Sequence, residues 1–114
     1  MITIEKLREY GANVEEGLAR CMNNEALYLR LVGMVPGDQN FTALKEAANT
    51  GDTRRVFEAA HAIKGALGNL SLTPLYEKAS EITELARAGA DAPYQSLAEE
   101  LEAMRDALSG LIEE

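Results

Sequence analysis

The single histidine of the chain, His61, lies in a segment whose residue types suit phosphoryl chemistry. Lys64 follows three positions later and Gly65 four positions later, so in a helix both lie one turn from His61. A neutral imidazole is a nucleophile at about pH 7, and an adjacent ammonium group offers a charged donor to phosphoryl oxygens. The pattern therefore suits a histidine that becomes phosphorylated, with Lys64 supporting the phosphate.

Two glycines beside this histidine are unusual inside a helix. Gly65 lies one turn on and Gly68 two turns on, and each lowers helix stability by about 1 kcal/mol relative to alanine. A glycine leaves the helix backbone bare, so another protein can approach the imidazole closely. The alternative is that His61 is an ordinary surface residue and that one of the glycines ends the helix. The residues alone leave both interpretations open.

Helical periodicity predicts which way His61 faces. At about 100° per residue, five apolar residues of this segment fall within an arc of roughly 80° and form a core-facing side. They are Val56, Ala60, Ile63, Leu67 and Leu70. Because His61 lies about 140° from the centre of that arc, we expect its imidazole to face solvent.

Two residues before His61 are candidates for contact with a partner. Phe57 lies near the edge of the helix face that carries His61. It belongs either to an apolar docking rim or to the flank of the core, and the flank of the core is slightly favoured. Glu58 lies about one turn before His61. It either orients the imidazole or is a solvated surface carboxylate, and the solvated carboxylate is favoured. Phe57, Glu58 and Gly68 are the candidate docking residues.

The first half of the chain is predicted to be helical, with breaks that mark helix ends. Thr3 suits the N-cap of a short first helix that ends near Gly11, and a second helical stretch runs from about Asn24 to Val35. Proline and glycine within Met34–Asp38 interrupt the chain before a third helix. The apolar positions of that third helix are Phe41, Leu44 and Ala48.

Start and stop signals also frame the later helices. Gly51 and Asp52 end the third helix and cap the fourth, which carries the histidine. Thr73 is expected to cap a fifth helix with Pro74 at its first position, and Asp91 is expected to cap a sixth. The sixth has an apolar seam at Tyr94, Leu97, Leu101, Met104, Leu108 and Leu111. We therefore predict an all-α fold: an antiparallel four-helix bundle with one or two short additional N-terminal helices.

Composition restricts the class of protein and its partners. The 114 residues suit a single domain, residues 1–114, and an apolar fraction of 46% suffices for one core. The 19 acidic and 11 basic residues give a net charge of -8, which argues against binding nucleic acid or an anionic membrane. With only Cys21 and one histidine, neither a disulfide nor zinc-ligand spacing is available. Without a membrane span or signal peptide in the sequence, we expect a cytoplasmic protein.

The segment around His61 resembles the active-site helix of histidine-containing phosphotransfer (HPt) domains, small helical bundles that relay phosphoryl groups in multi-step His-Asp signalling. Their hallmark is a histidine followed by an apolar residue two positions on, lysine three on and glycine four on. Those residues are here Ile63, Lys64 and Gly65. The resemblance implies that His61 is the phospho-accepting residue, that Lys64 supports the phosphate and that Gly65 clears space for the partner.

The resemblance extends over nearly the whole chain. Tyr10–Arg20 is similar to the leading segment of the family, Asn24–Tyr28 is similar to the start of its next helix, and the order of helices agrees. One departure is Ser71, where many members have glycine, and we expect it to affect only a turn. The initiating Met1 and the complete bundle favour a free-standing protein over a fragment of a hybrid kinase.

The resemblance also implies the partners of the chain. His61 would exchange its phosphoryl group with the aspartate of a response-regulator receiver domain, and a hybrid histidine kinase is the other implied partner. The acidic pocket of the partner and its Mg²⁺ are expected to supply most of the catalysis, so no cofactor is expected in this chain. Since no Gly-rich nucleotide loop is present, we do not expect autonomous kinase activity.

Two alternatives of different kinds are weighed against this interpretation. A non-phosphorylated helical adaptor would bind a receiver or a kinase, but it would need none of the three residues His61, Lys64 and Gly65. A structural dimer would use the seam of the last helix between two copies. The seam is better explained by packing within one bundle, so a monomer is expected.

Overall fold

Seven α-helices and one short 3₁₀ helix make up the regular structure of residues 1–114, all of which the computed structural model describes. The α-helices are α1 (Ile4–Tyr10), α2 (Val14–Arg20), α3 (Glu25–Met34), α4 (Asn40–Thr50), α5 (Thr53–Asn69), α6 (Thr73–Arg87) and α7 (Tyr94–Glu113), and the 3₁₀ helix is Val35–Gly37. There is no strand. The prediction of an all-α fold is confirmed.

Helices α4 to α7 form the four-helix bundle. Helix α4 packs against α5 and α7, and α6 packs against the same two helices, so the four close into a ring. Short connections join each helix to the next, which makes neighbours antiparallel. The seam of α7 is used inside the ring, since Leu97, Leu101 and Leu108 are buried there. The buried apolar side chains of the chain belong to one cluster.

The limits and the orientation of α5 agree with the sequence signals. Gly51 has a φ of 75° at the end of α4, and the Asp52 side chain accepts a hydrogen bond from the Arg55 backbone N–H at 3.2 Å. All five residues of the predicted core-facing side are buried, namely Val56, Ala60, Ile63, Leu67 and Leu70. Helix α5 continues to Asn69, so Gly65 and Gly68 both lie inside it rather than at its end.

Two of the predicted N-caps are wrong. Helix α6 begins at Thr73 itself, with Leu72 in the cap position, because the first helical hydrogen bond runs from the Tyr76 backbone N–H to the Leu72 carbonyl at 2.9 Å. Helix α7 begins at Tyr94 rather than just after Asp91. Pro93 explains the delay, since the residue before a proline is restricted to extended backbone.

Three short helices precede the bundle, one more than the sequence pattern predicts. The additional helix is α2, whose first turn is capped by the Asn13 side chain accepting from the Glu16 backbone N–H at 3.2 Å. A helix of seven residues has little stability of its own, so tertiary contacts must hold it. The apolar period of α2 is too short to predict it from the sequence.

The contact between α2 and α3 is unusually close. A Cβ added to Gly17 would lie 2.6 Å from Cε1 of Tyr28, so only glycine allows this approach. The Tyr28 ring is buried, and its hydroxyl donates a hydrogen bond to the Leu70 carbonyl at the end of α5, at 2.9 Å. Burial raises the pKa of Tyr28 to about 12, which keeps the hydroxyl neutral and able to donate. Tyr28 thereby ties the leading helices to the bundle.

We expect Gly17→Ala to lower the free energy of unfolding by about 1–3 kcal/mol, because the added methyl group meets a ring that is held at both ends. The matched control is Gly33→Ala in α3, where an added Cβ meets no atom within 4 Å. That substitution should raise the free energy of unfolding by about 0.5–1 kcal/mol through helix propensity. Urea denaturation followed by circular dichroism measures both. Equal effects of the two substitutions would contradict the close approach.

Candidate functional site

His61 projects into solvent from the middle of α5, as the helical wheel predicts. It lines an open groove of about 360 Å³ that α5 shares with α2, with the α5–α6 turn and with the start of α6. The lining residues are Glu16, Arg20, His61, Lys64, Gly65, Gly68, Asn69, Ser71, Thr73 and Tyr76. The groove therefore brings together four of the residues that the sequence singles out: His61, Lys64, Gly65 and Gly68.

The imidazole of His61 is stacked on the ring of Phe57. The two ring centroids are 5.5 Å apart and the planes are inclined by only 11°. Phe57 is itself covered by Arg87 of α6, whose guanidinium carbon lies 4.9 Å from the centre of the Phe57 ring. Stacking of this kind is worth about 0.5–1.5 kcal/mol, so it restricts the orientations that the imidazole adopts. Phe57 is half-buried and contacts both His61 and the flank of the core.

Lys64 supplies a positive charge one turn beyond His61. Its side chain is half-buried and lines the same groove. Lys64 takes no part in the ion pairs of the structure. Its ammonium group is therefore not engaged by a carboxylate of the chain and can serve an anion in the groove.

The two glycines of α5 have different surroundings. A Cβ added to Gly65 would meet no atom within 4 Å, so packing within the chain does not require glycine there. A Cβ added to Gly68 would lie 3.1 Å from Cε1 and 3.3 Å from Cδ1 of Tyr76, whose ring closes over this position. Gly65 leaves the backbone bare beside His61, whereas Gly68 makes room for Tyr76.

Glu58 lies on another side of α5. Its carboxylate is 3.3 Å from Nε of Arg54, one turn earlier, and both side chains are exposed. It lines a separate groove between α4 and α5, together with residues such as Ala43 and Ala47. The partner of the Glu58 carboxylate is thus Arg54 rather than the imidazole of His61.

Sequence reasoning missed the contribution of α2 to the groove. Glu16 and Arg20 line it, although they are far from His61 along the chain. No local spacing connects them with the histidine, and only the leading segment that resembles the HPt family hinted at a role for this region. The position of α2 therefore has to be explained by its contacts.

Ser71 links α2 to the turn between α5 and α6. Its φ is 54°, in the left-handed region that favours glycine, which accounts for the glycine that many HPt domains have here. The Ser71 hydroxyl donates to Oε1 of Glu16 at 2.8 Å, and its carbonyl accepts from the Asn13 backbone N–H at 2.9 Å. The expectation that Ser71 affects only the turn is too narrow, because it also holds α2.

Acidic, cysteine and histidine side chains do not gather in groups of three or more that would suit a metal ion. No helix combines the length and the apolar character that crossing a bilayer requires.

Comparison with known proteins identifies the class to which this bundle and its histidine belong. Residues 36–111 match the family model described as the Hpt domain, which covers well over half of the 114 residues. The chain therefore belongs to the family of histidine-containing phosphotransfer domains. Neither the curated proteins nor the solved structures contain a significant match. Members of this family are phosphocarriers of phosphorelay signalling rather than enzymes, and they work with receiver domains and kinases.

The surroundings of the two glycines predict different effects on stability. Gly65→Ala should raise the free energy of unfolding by about 1 kcal/mol, because alanine favours the helix and meets no neighbour. Gly68→Ala should raise it less or not at all, because the ring of Tyr76 must shift by a few tenths of an ångström. Urea denaturation of the two variants measures the difference. A larger gain for Gly68→Ala than for Gly65→Ala would contradict the packing of Tyr76.

Proposed function

We propose that His61 is the phosphoryl-accepting residue of this HPt domain and that it exchanges the group with the aspartate of a receiver domain. The observation that carries the proposal is the groove in which the chain's only histidine is exposed beside Lys64 and the bare backbone of Gly65. Membership in the HPt family supports the same assignment. We propose further that residues 1–114 form a single domain of this kind.

The transfer step needs little from this chain beyond a positioned nucleophile. The unprotonated ring nitrogen of His61 attacks the phosphorus of the aspartyl phosphate, while the other nitrogen keeps its proton. A nitrogen–phosphorus bond forms as the bond between phosphorus and the carboxylate oxygen breaks, and the aspartate leaves as a carboxylate. The reverse reaction passes the group to another receiver. Phosphoryl transfer depends mainly on positioning and charge stabilisation.

Each neighbour of His61 has a role in this proposal. Lys64 donates to the phosphoryl oxygens, supported by its place in the groove and its freedom from ion pairs. Gly65 leaves room for the receiver, supported by the empty space around it. Phe57 orients the imidazole through stacking and borders the docking surface. We propose Glu58 and Gly68 as further docking residues: Gly68 lines the groove of His61, whereas Glu58 would contact the receiver from the neighbouring groove between α4 and α5.

The partners follow from this chemistry. We propose a receiver domain, a hybrid histidine kinase or both, with the partner supplying the acidic pocket and the metal ion for the transfer. The chain acts without a cofactor and has no kinase activity of its own. We propose a cytoplasmic monomer that binds neither nucleic acid nor membranes, supported by the net charge of -8 and by the use of the α7 seam inside the bundle.

Replacement of the histidine tests the proposal directly. Incubated with phosphorylated receiver domains, the wild-type chain should acquire acid-labile label, and His61→Gln should acquire none, because its amide is not a nucleophile. Circular dichroism of the variant checks that it remains folded. Label on both proteins would place the reaction at another residue. Label on neither, across a full panel of receivers and kinases, would favour the adaptor alternative.

A bulky side chain at Gly65 separates partner access from the chemistry of His61. Gly65→Gln should slow transfer from a phosphorylated receiver by about tenfold or more, because the side chain fills the approach to the imidazole. Phosphorylation by phosphoramidate, a donor small enough to enter beside the side chain, should change much less. Gly110→Gln is the matched control, since Gly110 is another exposed helical glycine with open space around it. Equal transfer rates for all three proteins would contradict the role of Gly65.

A further inference from the structure

We propose that Arg20 of α2 is a second cationic ligand of the phosphoryl group carried at His61. This inference rests on the proposed function of His61 and adds a residue that lies outside the segment matched by the family model, residues 36–111. It also gives a role in the site to α2, a short helix whose buried residues are Val14 and Gly17. The observations that carry it are the charges of the groove and the contacts that hold α2.

The charges in the groove favour a phosphoryl group that is bound from two sides. Three charged residues line it: Lys64 on α5, and Arg20 and Glu16 on α2. A phosphoryl group on a side chain carries a charge of about -1.5 to -2 and three acceptor oxygens, which exceeds what one ammonium group neutralises. A guanidinium group presents paired N–H donors that match phosphate geometry, so Arg20 would complement Lys64.

Helix α2 is held at this place by buried and backbone contacts. The Asn13 backbone N–H donates to the Ser71 carbonyl at 2.9 Å, just before α2 begins. Gly17, at the middle of α2, lies against the ring of Tyr28, whose hydroxyl is bonded to the Leu70 carbonyl. The backbone of Arg20 is therefore already fixed. Binding of a phosphoryl group by Arg20 costs little conformational entropy apart from that of ordering the Arg20 side chain.

The ion pair between Arg20 and Glu16 leaves the N–H donors of the Arg20 guanidinium available. The closest approach of its guanidinium to Oε1 of Glu16 is 3.6 Å, and both side chains are about half exposed (51% each). An ion pair of this length and exposure contributes little. The same oxygen of Glu16 accepts the Ser71 hydroxyl at 2.8 Å, so the carboxylate stays satisfied when Arg20 turns toward the phosphate.

The carboxylate of Glu16 increases the effect that we expect replacement of Arg20 to have on the phosphoryl group. It is the one carboxylate among the residues that line the groove. With Arg20 in place, the guanidinium shields the phosphoryl group from this negative charge. Without Arg20, the phosphoryl group loses a donor and faces an unscreened carboxylate, and both changes disfavour the doubly charged phosphoryl form.

Arg54 is a matched control for Arg20. It is also an exposed arginine paired with a glutamate at helical spacing, in this case Glu58, at 3.3 Å. It lies on α5 itself but lines a different groove, beside Arg87 and Gly89. Replacing either arginine with glutamine removes one positive charge and one exposed ion pair. A difference between the two variants therefore reports on the groove of His61 rather than on net charge.

The test uses chemical phosphorylation, which requires no protein partner. Phosphoramidate transfers its phosphoryl group to His61: the nitrogen–phosphorus bond of the donor breaks, ammonia leaves, and a nitrogen–phosphorus bond to the imidazole forms. Wild type, Arg20→Gln, Arg20→Lys and Arg54→Gln are compared for the rate of this reaction and for the pH titration of the phosphorus-31 resonance. The groups facing the phosphate are Arg20, Lys64 and Glu16.

We expect Arg20→Gln to slow phosphorylation by about fivefold, the factor expected for one exposed charge pair. The same variant should raise the pKa of the phosphoryl group, because a neighbouring cation is lost while Glu16 remains. Arg54→Gln should match wild type in both measurements. Arg20→Lys should fall between wild type and Arg20→Gln, since it keeps the charge and loses the paired donors. A role of Arg20 confined to holding α2 would leave the titration unmoved.

The outcomes separate this inference from the function on which it rests. One outcome is that the wild type is phosphorylated on His61 and that the phosphorus-31 titrations of Arg20→Gln and Arg54→Gln match that of the wild type. Arg20 is then an ordinary surface residue, and the proposed function of His61 stands. If Arg54→Gln shifts the titration as far as Arg20→Gln does, the effect is one of net charge and the inference is wrong. If His61 accepts no phosphoryl group from phosphoramidate or from receivers, both proposals fall.

Discussion

The packing of α5 between α4 and α6 is the constraint on which the site depends. One side of this helix is committed to the core from Val56 to Leu70, and the opposite strip is thereby left to solvent. His61 lies on that strip with buried residues immediately before and two positions after it. A shift by one residue turns a helix by about 100°, and a shift that put the imidazole at the buried position of Ala60 would remove it from solvent. The same packing places Lys64 and Gly65 on the helix face that carries His61.

The turn after α5 is a second point on which much of the structure converges. The Leu70 carbonyl accepts a hydrogen bond from the Tyr28 hydroxyl. The Ser71 carbonyl accepts one from the Asn13 backbone N–H, and the Ser71 hydroxyl donates one to the Glu16 carboxylate. Ser71 accepts a left-handed backbone that suits glycine better, and its hydroxyl bond offsets part of that strain. Helices α2 and α3 are thus fastened to the end of α5, and α2 adds Arg20 to the groove that holds His61 and Lys64.

Much of this protein can be predicted from local sequence patterns. The apolar period of α5 predicts that His61 faces solvent, and Gly51 and Asp52 predict where that helix begins. These features follow from backbone geometry within one or two turns, so no distant residue needs to be known. The spacing of His61, Lys64 and Gly65 likewise predicts that they share one face. The family resemblance supplied the chemistry that this spacing alone left open.

Other features were decided only by the tertiary structure. Helix α2, the start of α6 at Thr73 and the closure of Tyr76 over Gly68 depend on contacts between segments that are distant along the chain. Arg20 has no periodic relation to His61, and it enters the groove because Tyr28 and Ser71 anchor α2 there. The sequence by itself determined the helices of the bundle and the exposed histidine, since both follow from local periodicity. The neighbours of that histidine from other helices came from long-range packing, which local patterns do not encode.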